Sequence, residues 1–146
     1  MPIPLSDPAL EHLIAQMQDA MAQFVNGDAA AFKALWSHQP DVTIFGGWGA
    51  YEQGWEAVGP RLDWAAARYV EGEVTCETLS RGRSGDLAYT VWLEHSDARL
   101  RGQEERAPIV LRVTHLLRRE AGDWRIVHRH ADPVLHKTEP AAVIQR

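Results

Sequence analysis

The chain has 146 residues, of which 45% are hydrophobic and 24% are charged, and its formal net charge is −5. This length suits one globular domain, and the acidic balance argues against nucleic acid or an anionic membrane as the main partner, because phosphate contacts need clustered Lys and Arg. The single cysteine excludes an internal disulfide, and neither a secretory signal nor a membrane span is predicted. We expect a cytoplasmic protein with one domain, residues 1–146, whose termini at 1–5 and 134–146 are loose.

The first third of the sequence is predicted to be helical. Between residues 10 and 25, apolar side chains recur at intervals of three and four, which is typical of an amphipathic helix. Ser6 or Asp7 can cap this helix, and Gly27 can end it in the left-handed conformation. A short second helix, a strand at 41–45 and a third helix follow.

The segment before the third helix, GGWGAYEQGW from Gly46, is rich in glycine and aromatic residues. Glycine lets the backbone approach a ligand or another segment closely, and tryptophan supplies apolar area. Trp48 is therefore a candidate for the wall of a pocket. A tight turn with simply packed tryptophans is the alternative.

From residue 72 onward the sequence reads as long strands separated by turns. The predicted strands are 72–81, 87–98, 106–118 and 124–132. Three helices followed by an antiparallel meander indicate an α+β fold, in which the helices pack on a strongly curved antiparallel sheet. Such a sheet forms a cone with an internal cavity that can hold a small molecule.

Three stretches carry a resemblance to a known family: helix–NGD–helix, PDVTIFGGWG, and LRVTHLLRREAGDWRIVHRHAD. Together they resemble the nuclear transport factor 2-like superfamily, in its SnoaL-like and ketosteroid-isomerase-like branch, over residues 6–133. The resemblance implies the cone-shaped fold and a homodimer formed through the sheet face. It does not fix an activity, because this fold hosts many functions.

Ketosteroid isomerase chemistry needs an Asp base and an oxyanion site made of a Tyr and a protonated Asp. The resemblance places these positions at Ala20, at Phe45 or Gly46, and at Thr114. None of these residues carries the required group. We therefore expect no steroid isomerase chemistry of this kind. We also expect no cofactor.

The last two strands can face the hollow in either of two ways, because side chains alternate along a strand. Hydrophobicity alone turns one face toward the core: Leu111, Val113, Trp124 and Ile126. The resemblance implies the opposite face: Arg112, Thr114, Val127, Arg129 and Ala131. We adopt the second orientation, since a second subunit would bury the apolar face, although a β-bulge would reverse it.

This orientation predicts two groups of site residues. The ligand-binding group consists of Trp48, Tyr89, His95, Arg112, Thr114 and Arg129, with His95 and Tyr89 as candidates for catalytic proton transfer. The dimer-interface group consists of Trp92, His115, Trp124, Ile126, His128 and His130. Arginines in an apolar hollow need a counter-ion, which Glu94, Asp132, Asp63 or a ligand carboxylate can supply.

Three functions stay open from the sequence. The first is a small-molecule-binding protein whose pocket takes an apolar or aromatic acid, with or without isomerase, cyclase or lyase activity. The second is a metal-dependent enzyme that uses His128 and His130, with Asp132 or His115 as a third ligand. The third is a non-catalytic assembly domain that works through the Arg99–Arg101 turn and the tail. We favour the first, with a carboxylate ligand and no metal.

Overall fold

Three α-helices cover the inner face of one curved sheet, and this confirms the α+β cone predicted from the sequence. The computed structural model describes residues 5–145. In this range the helices are α1 (Pro8–Phe24), α2 (Ala30–Ala34) and α3 (Trp55–Ala66), followed by a 3-10 helix at Pro140–Val143. The six strands of the same range are β1 (Thr43–Phe45), β2 (Tyr51–Gln53), β3 (Tyr69–Ser84), β4 (Leu87–Leu100), β5 (Ala107–Glu120) and β6 (Asp123–Asp132).

Helix α1 begins and ends where the sequence predicts. The Asp7 carboxylate accepts a hydrogen bond from the backbone N–H of Leu10 at 3.1 Å, so Asp7 is the N-cap. Pro8 occupies the first turn, where no partner for an N–H is needed. Gly27 has a φ of +96° and directs the chain away from the helix end.

The end of α1 is tied to the sheet through Asn26. Its side-chain amide donates to the backbone carbonyl of Gly72 at 2.9 Å and accepts from the Gly72 N–H at 3.3 Å. Gly72 lies opposite Ala98 of β4. A Cβ atom added to Gly72 would lie 2.6 Å from the Cβ of Ala98. The absence of a side chain at Gly72 therefore allows β3 and β4 to approach each other beneath α1.

The strands follow the order β2-β1-β6-β5-β4-β3, in which β1 runs parallel to β6 and the other neighbours are antiparallel. Ala121 and Gly122 connect β5 to β6 with φ values of 49° and 87°, as a two-residue hairpin turn requires. Strand β2 was not predicted, because three residues are too few to show a periodic pattern.

Single-residue bulges bend the sheet at three points of the described chain. Val70 and Leu79 interrupt β3, and Val127 interrupts β6, where Leu117 pairs with Ile126 but Leu116 pairs with His128. A bulge adds one residue to a strand and reverses the alternation of its side chains beyond that point. In β6, the even-numbered residues before the Val127 bulge and the odd-numbered residues after it therefore face the helices.

The orientation that we adopted from the resemblance is wrong for β4, β5 and the first half of β6. Four residues predicted for the dimer interface are buried beneath the helices of the same chain: Trp92, His115, Trp124 and Ile126. Four residues predicted to line the cavity lie on the opposite, outer face: Tyr89, His95, Arg112 and Thr114. The physical reason is that helices α1 and α2 already bury the apolar face, as hydrophobicity alone indicated.

Leu5 is buried and residues 140–143 form the 3-10 helix, so parts of the segments predicted to be loose have defined positions; residues 1–4 and 146 lie outside the described residues. Between residues 5 and 145, no helix is both long enough and apolar enough to cross a bilayer.

Replacing Gly72 by Ala should destabilise the fold. The new Cβ would clash with the Ala98 side chain and come within 3.0 Å of the Asp97 carbonyl oxygen. We expect a loss of about 1–3 kcal/mol in the free energy of unfolding, measured by urea denaturation. Gly46→Ala is the control, because its Cβ would meet nothing closer than 3.9 Å. Equal stability of the two variants would contradict the tight β3–β4 approach.

Candidate functional site

A cavity of about 250 Å³ lies between α3, the end of α1, the loop after β1 and the inner face of the sheet. Its walls are mainly apolar, with Phe24, Ile44, Leu62, Ile109 and Leu111 as representative members. Its polar side chains are Arg61, Tyr69 and Arg129 within the part of the chain that the structure describes. An apolar cavity with a few polar groups is the usual form of a small-molecule site.

The glycine-rich loop forms one wall of this cavity. Gly47 lies directly against β5, since an added Cβ would sit 3.4 Å from both methyl groups of Leu111. Trp48 contacts Trp64 edge-on, with 6.0 Å between ring centroids, and lies tilted against Tyr69 at 5.6 Å. Trp48 thus lines the cavity, whereas its role in ligand binding stays a prediction.

An ion pair between Arg129 and Glu94 forms the inner end of the cavity, which we call the floor. Arg129 Nη1 donates to Glu94 Oε2 at 2.9 Å, and Nη2 donates to Oε1 at 2.8 Å. The indole N–H of Trp92 donates to Oε2 at 2.9 Å. Arg129 is only 8% exposed, so water cannot solvate the pair, and the bidentate contact with Glu94 compensates its charge.

His115 completes the buried network in one defined tautomer. Its Nε2 lies 3.1 Å from Arg129 Nη1, and its Nδ1 lies 3.1 Å from Thr90 Oγ1. Because a guanidinium can only donate, Nε2 must accept and the proton must be on Nδ1, which donates to Thr90. His115 is therefore a neutral acceptor that supports Arg129.

Burial and charge set the protonation states of the floor. Burial alone would raise the pKa of Glu94, but the charge and hydrogen bonds of Arg129 and the Trp92 N–H outweigh it and hold that pKa below its ordinary value. Burial, the charge of Arg129 and the neighbouring His128 lower the pKa of His115 well below its ordinary value. Burial, with the charge of Glu94, raises the pKa of Tyr69 to about 12, so its hydroxyl stays protonated.

Arg61 lies at the half-exposed rim of the cavity. Its guanidinium carbon is 4.1 Å from the centre of the Trp64 ring, and Nη2 reaches the Gly49 carbonyl oxygen only at 3.5 Å. Within residues 5–145, no carboxylate forms an ion pair with Arg61. Arg61 is consequently a cation that is free to receive an anion at the opening.

The ligand-binding residues predicted on β4 and β5 do not reach this cavity. On the outer face, Arg112 makes a bidentate contact with Asp132 at 2.7 and 2.9 Å, and Thr114 lies on the same side. The proton-transfer candidates are also outside: Tyr89 Oη lies 3.3 Å from Ser80 Oγ, and His95 Nε2 lies 2.9 Å from Glu77 Oε1. Their predicted place in the hollow is corrected accordingly.

His128 and His130 lie on the outer face, beyond the Val127 bulge. His128 Nδ1 is 2.7 Å from Thr43 Oγ1, and His130 Nε2 is 3.3 Å from Asp132 Oδ2. His115, proposed as a third metal ligand, faces the opposite side of the sheet. In the described part of the chain, no three His, Cys, Asp or Glu side chains form a metal-binding group. The geometry therefore does not favour the metal hypothesis.

The arginine-rich turn proposed for assembly contacts its own chain. Arg101 donates from Nε to the Ala67 carbonyl oxygen at 2.8 Å, and Arg99 lies 3.9 Å from a carboxylate oxygen of Glu71. These contacts attach the turn to the end of α3 and to β3. The structure thus gives the turn a role within the fold.

Sequence reasoning missed two polar residues of the cavity, Arg61 and Tyr69. Tyr69 lies beyond the end of α3 and begins β3. Glu94 was considered only as one of several counter-ions. Its position offered a signal, because a carboxylate in alternation with Thr90 and Trp92 falls on the inner face and must have a cationic partner there.

The stability of the fold should fall as the pH decreases below 6.5. The unfolded chain protonates His115 near that pH, whereas the folded chain does not, so the unfolded state binds more protons and is favoured. Between pH 7.5 and 5.5 we expect this group to remove about 1.4 kcal/mol from the free energy of unfolding. Denaturant titrations of His115→Gln should show a loss smaller by this amount. His12→Gln, on the exposed side of α1, should show the same decrease in the free energy of unfolding as the unmodified chain. If His115→Gln also shows that same decrease, the argument is refuted.

Comparison with known proteins places this architecture in a family. Solved structures with the same fold include three bacterial proteins. One is named as a calcium/calmodulin-dependent protein kinase type II association domain from Thiobacillus denitrificans (22% identity, 90% of this chain and 98% of that chain, TM-score 0.71). Another is named as a dehydratase of the NTF2-like family from Streptomyces avermitilis (17% identity, 88% of this chain and 95% of that chain, TM-score 0.71). The third is named as a nuclear transport factor 2-like superfamily protein from Salmonella enterica (15% identity, 92% of this chain and 99% of that chain, TM-score 0.73).

These identities show the shared fold and carry no activity to this chain. No curated protein matches the chain. A family model described as SnoaL-like domain matches residues 11–135, and the chain belongs to this SnoaL-like family.

Proposed function

We propose that this protein binds an apolar or aromatic carboxylic acid in its cone cavity. The SnoaL-like family and fold support a small-molecule-binding domain. The observation that carries the proposal is a cavity with apolar walls and one arginine, Arg61, available at its rim. The walls suit the ring or alkyl body of the ligand, and the arginine suits its carboxylate.

The anion contact is assigned to Arg61 because the two arginines favoured by the sequence are already neutralised. Arg129 pairs with Glu94 at the floor, and Arg112 pairs with Asp132 outside the cavity. A ligand carboxylate beside either pair would add an uncompensated negative charge. At the rim, by contrast, it would meet a cation that stacks on an indole ring and keeps donors to spare.

The lining favours binding over proton transfer. Among the described residues that line the cavity there is no Asp, Glu or His. Glu94 and His115 lie behind Arg129 and are held by its hydrogen bonds. A proton acceptor of ordinary basicity is thus not presented to the ligand, and we propose recognition as the function.

Binding of 2-naphthoate should depend on Arg61. We expect Arg61→Gln to weaken it about tenfold, since one charge-assisted contact at a half-exposed position is worth about 1.4 kcal/mol. Binding of the neutral 2-naphthamide should not change. Titration calorimetry on both ligands provides the measurement.

Arg68→Gln is the matched control, because Arg68 also stacks on Trp64, at 4.8 Å, but does not line the cavity. It should leave the naphthoate affinity intact. The proposal fails if neither ligand binds, or if Arg61→Gln binds 2-naphthoate as tightly as the unmodified protein.

A homodimer formed through the outer sheet face is the second part of the proposal. Large apolar side chains are exposed there, including Leu79 at 56% and Leu116 at 46%. Arg112 forms an ion pair with Asp132 on this face, and the Glu77 carboxylate lies 2.9 Å from His95 Nε2. An identical face could therefore dock on this one without like-charge repulsion.

Leu116→Arg should convert the dimer to a monomer, because the new charge would be buried at the contact. Sedimentation velocity at micromolar concentration measures the change in mass. Ala22→Arg adds the same charge on the exposed side of α1 and should leave the dimer intact. A monomeric unmodified protein, or a dimeric Leu116→Arg variant, would count against this interface.

A further inference from the structure

The floor of the cavity carries hydrogen-bond donors that no described residue accepts. Arg129 has five N–H groups. Nη1 uses both of its hydrogens, one toward Glu94 and one toward His115, and Nη2 uses one toward Glu94. The Nε hydrogen and the second Nη2 hydrogen remain. In the planar guanidinium these two point outward from the same edge, as a fork.

This fork is open to the cavity. Arg129 lines the cavity, and its Nε does not belong to the buried polar atoms that are sealed off without a partner within residues 5–145. Phe32 covers one face of the guanidinium, with 5.6 Å from Cζ to the ring centre. Glu94 and His115 occupy the remaining positions, so an acceptor can approach only along the free edge.

The Tyr69 hydroxyl is the third available donor. Tyr69 is 5% exposed and lines the same cavity, and its hydroxyl makes no hydrogen bond to another residue between positions 5 and 145. It is not sealed off either, so it reaches open space in the cavity. An acceptor that enters the cavity beside both groups would receive hydrogen bonds from the hydroxyl and from the free guanidinium edge at once.

The floor of the cavity favours a hydrogen-bond acceptor that carries no charge. Glu94 already neutralises Arg129, and its oxygens accept from Arg129 and from the Trp92 indole. A second carboxylate would place two negative charges on one guanidinium in a medium that hydrates neither. A carbonyl oxygen has two lone pairs, accepts from several donors and adds no charge.

Resting on the proposed function, we infer that the ligand is an oxo-acid: its carboxylate pairs with Arg61 at the rim, and its carbonyl oxygen accepts from Arg129 and Tyr69 at the floor. The apolar walls hold the ring or chain that separates the two groups. Tyr69 acts here as a specificity-determining residue. It selects ligands that carry a carbonyl over those with an apolar group of the same shape.

The test compares 4-acetylbenzoate with 4-isopropenylbenzoate, in which a CH₂ group replaces the carbonyl oxygen. We expect the acetyl compound to bind about tenfold more tightly to the unmodified protein by titration calorimetry. Tyr69→Phe should reduce this preference to about threefold. Its melting temperature should not fall, because the lost hydroxyl has no partner in the free protein. Tyr51→Phe, which removes an exposed hydroxyl on β2, should keep the full preference.

A second readout separates hydrogen bonding from shape. With a carbon-13 label at the ketone, the carbonyl resonance should move downfield in the complex with the unmodified protein, and less so with Tyr69→Phe. Equal affinity for the two compounds, or failure of the acetyl compound to bind while 2-naphthoate still binds through Arg61, overturns this inference and leaves the proposed function standing. If no aromatic carboxylate binds, both fall.

Discussion

The interior of this protein depends on one buried ion pair, between Arg129 on β6 and Glu94 on β4. Taking either charge out of water costs several kcal/mol, so neither side chain could occupy the hollow without the other. His115 on β5 accepts from Arg129 and stays neutral, and the Trp92 N–H satisfies the carboxylate. The network therefore joins three neighbouring strands by their inner faces. It also leaves the cavity floor with donors but no net charge, and this property determines which ligand chemistry can enter.

The bulge at Val127 makes this network compatible with the core. Before the bulge, Ile126 points inward beneath the helices; after it, Arg129 points inward as well, although an unbroken strand would send it outward. The same shift sends His128 and His130 to the outer face. One inserted residue thus decides that the interior contains a guanidinium and that the paired imidazoles belong to the outside.

The sequence predicted most of the helices and strands, but it did not predict which face of each strand lies toward the helices. The capped helix α1, the turn at Gly27 and the hairpin before β6 depend on local chemistry, and each was predicted. Hydrophobicity alone also placed Leu111, Val113, Trp124 and Ile126 correctly, but the family resemblance led us to the opposite orientation. That orientation assumed regular strands, and a bulge leaves no trace in the alternation of residue types around Val127. Arg61 and Tyr69 were missed because the cavity residues lie far apart in the chain.

By itself, the sequence determined the α+β class and the order of the helices and strands other than β2, because these follow from periodicity, capping and turn residues over short distances. Only the tertiary structure decided which arginine has a counter-ion and which is free. Pairing of charges depends on distances of about 3 Å between strands, and a one-residue shift in register moves a side chain to the other face of the sheet. Such a shift is set by the packing of the whole sheet against its helices, which no local stretch of sequence contains.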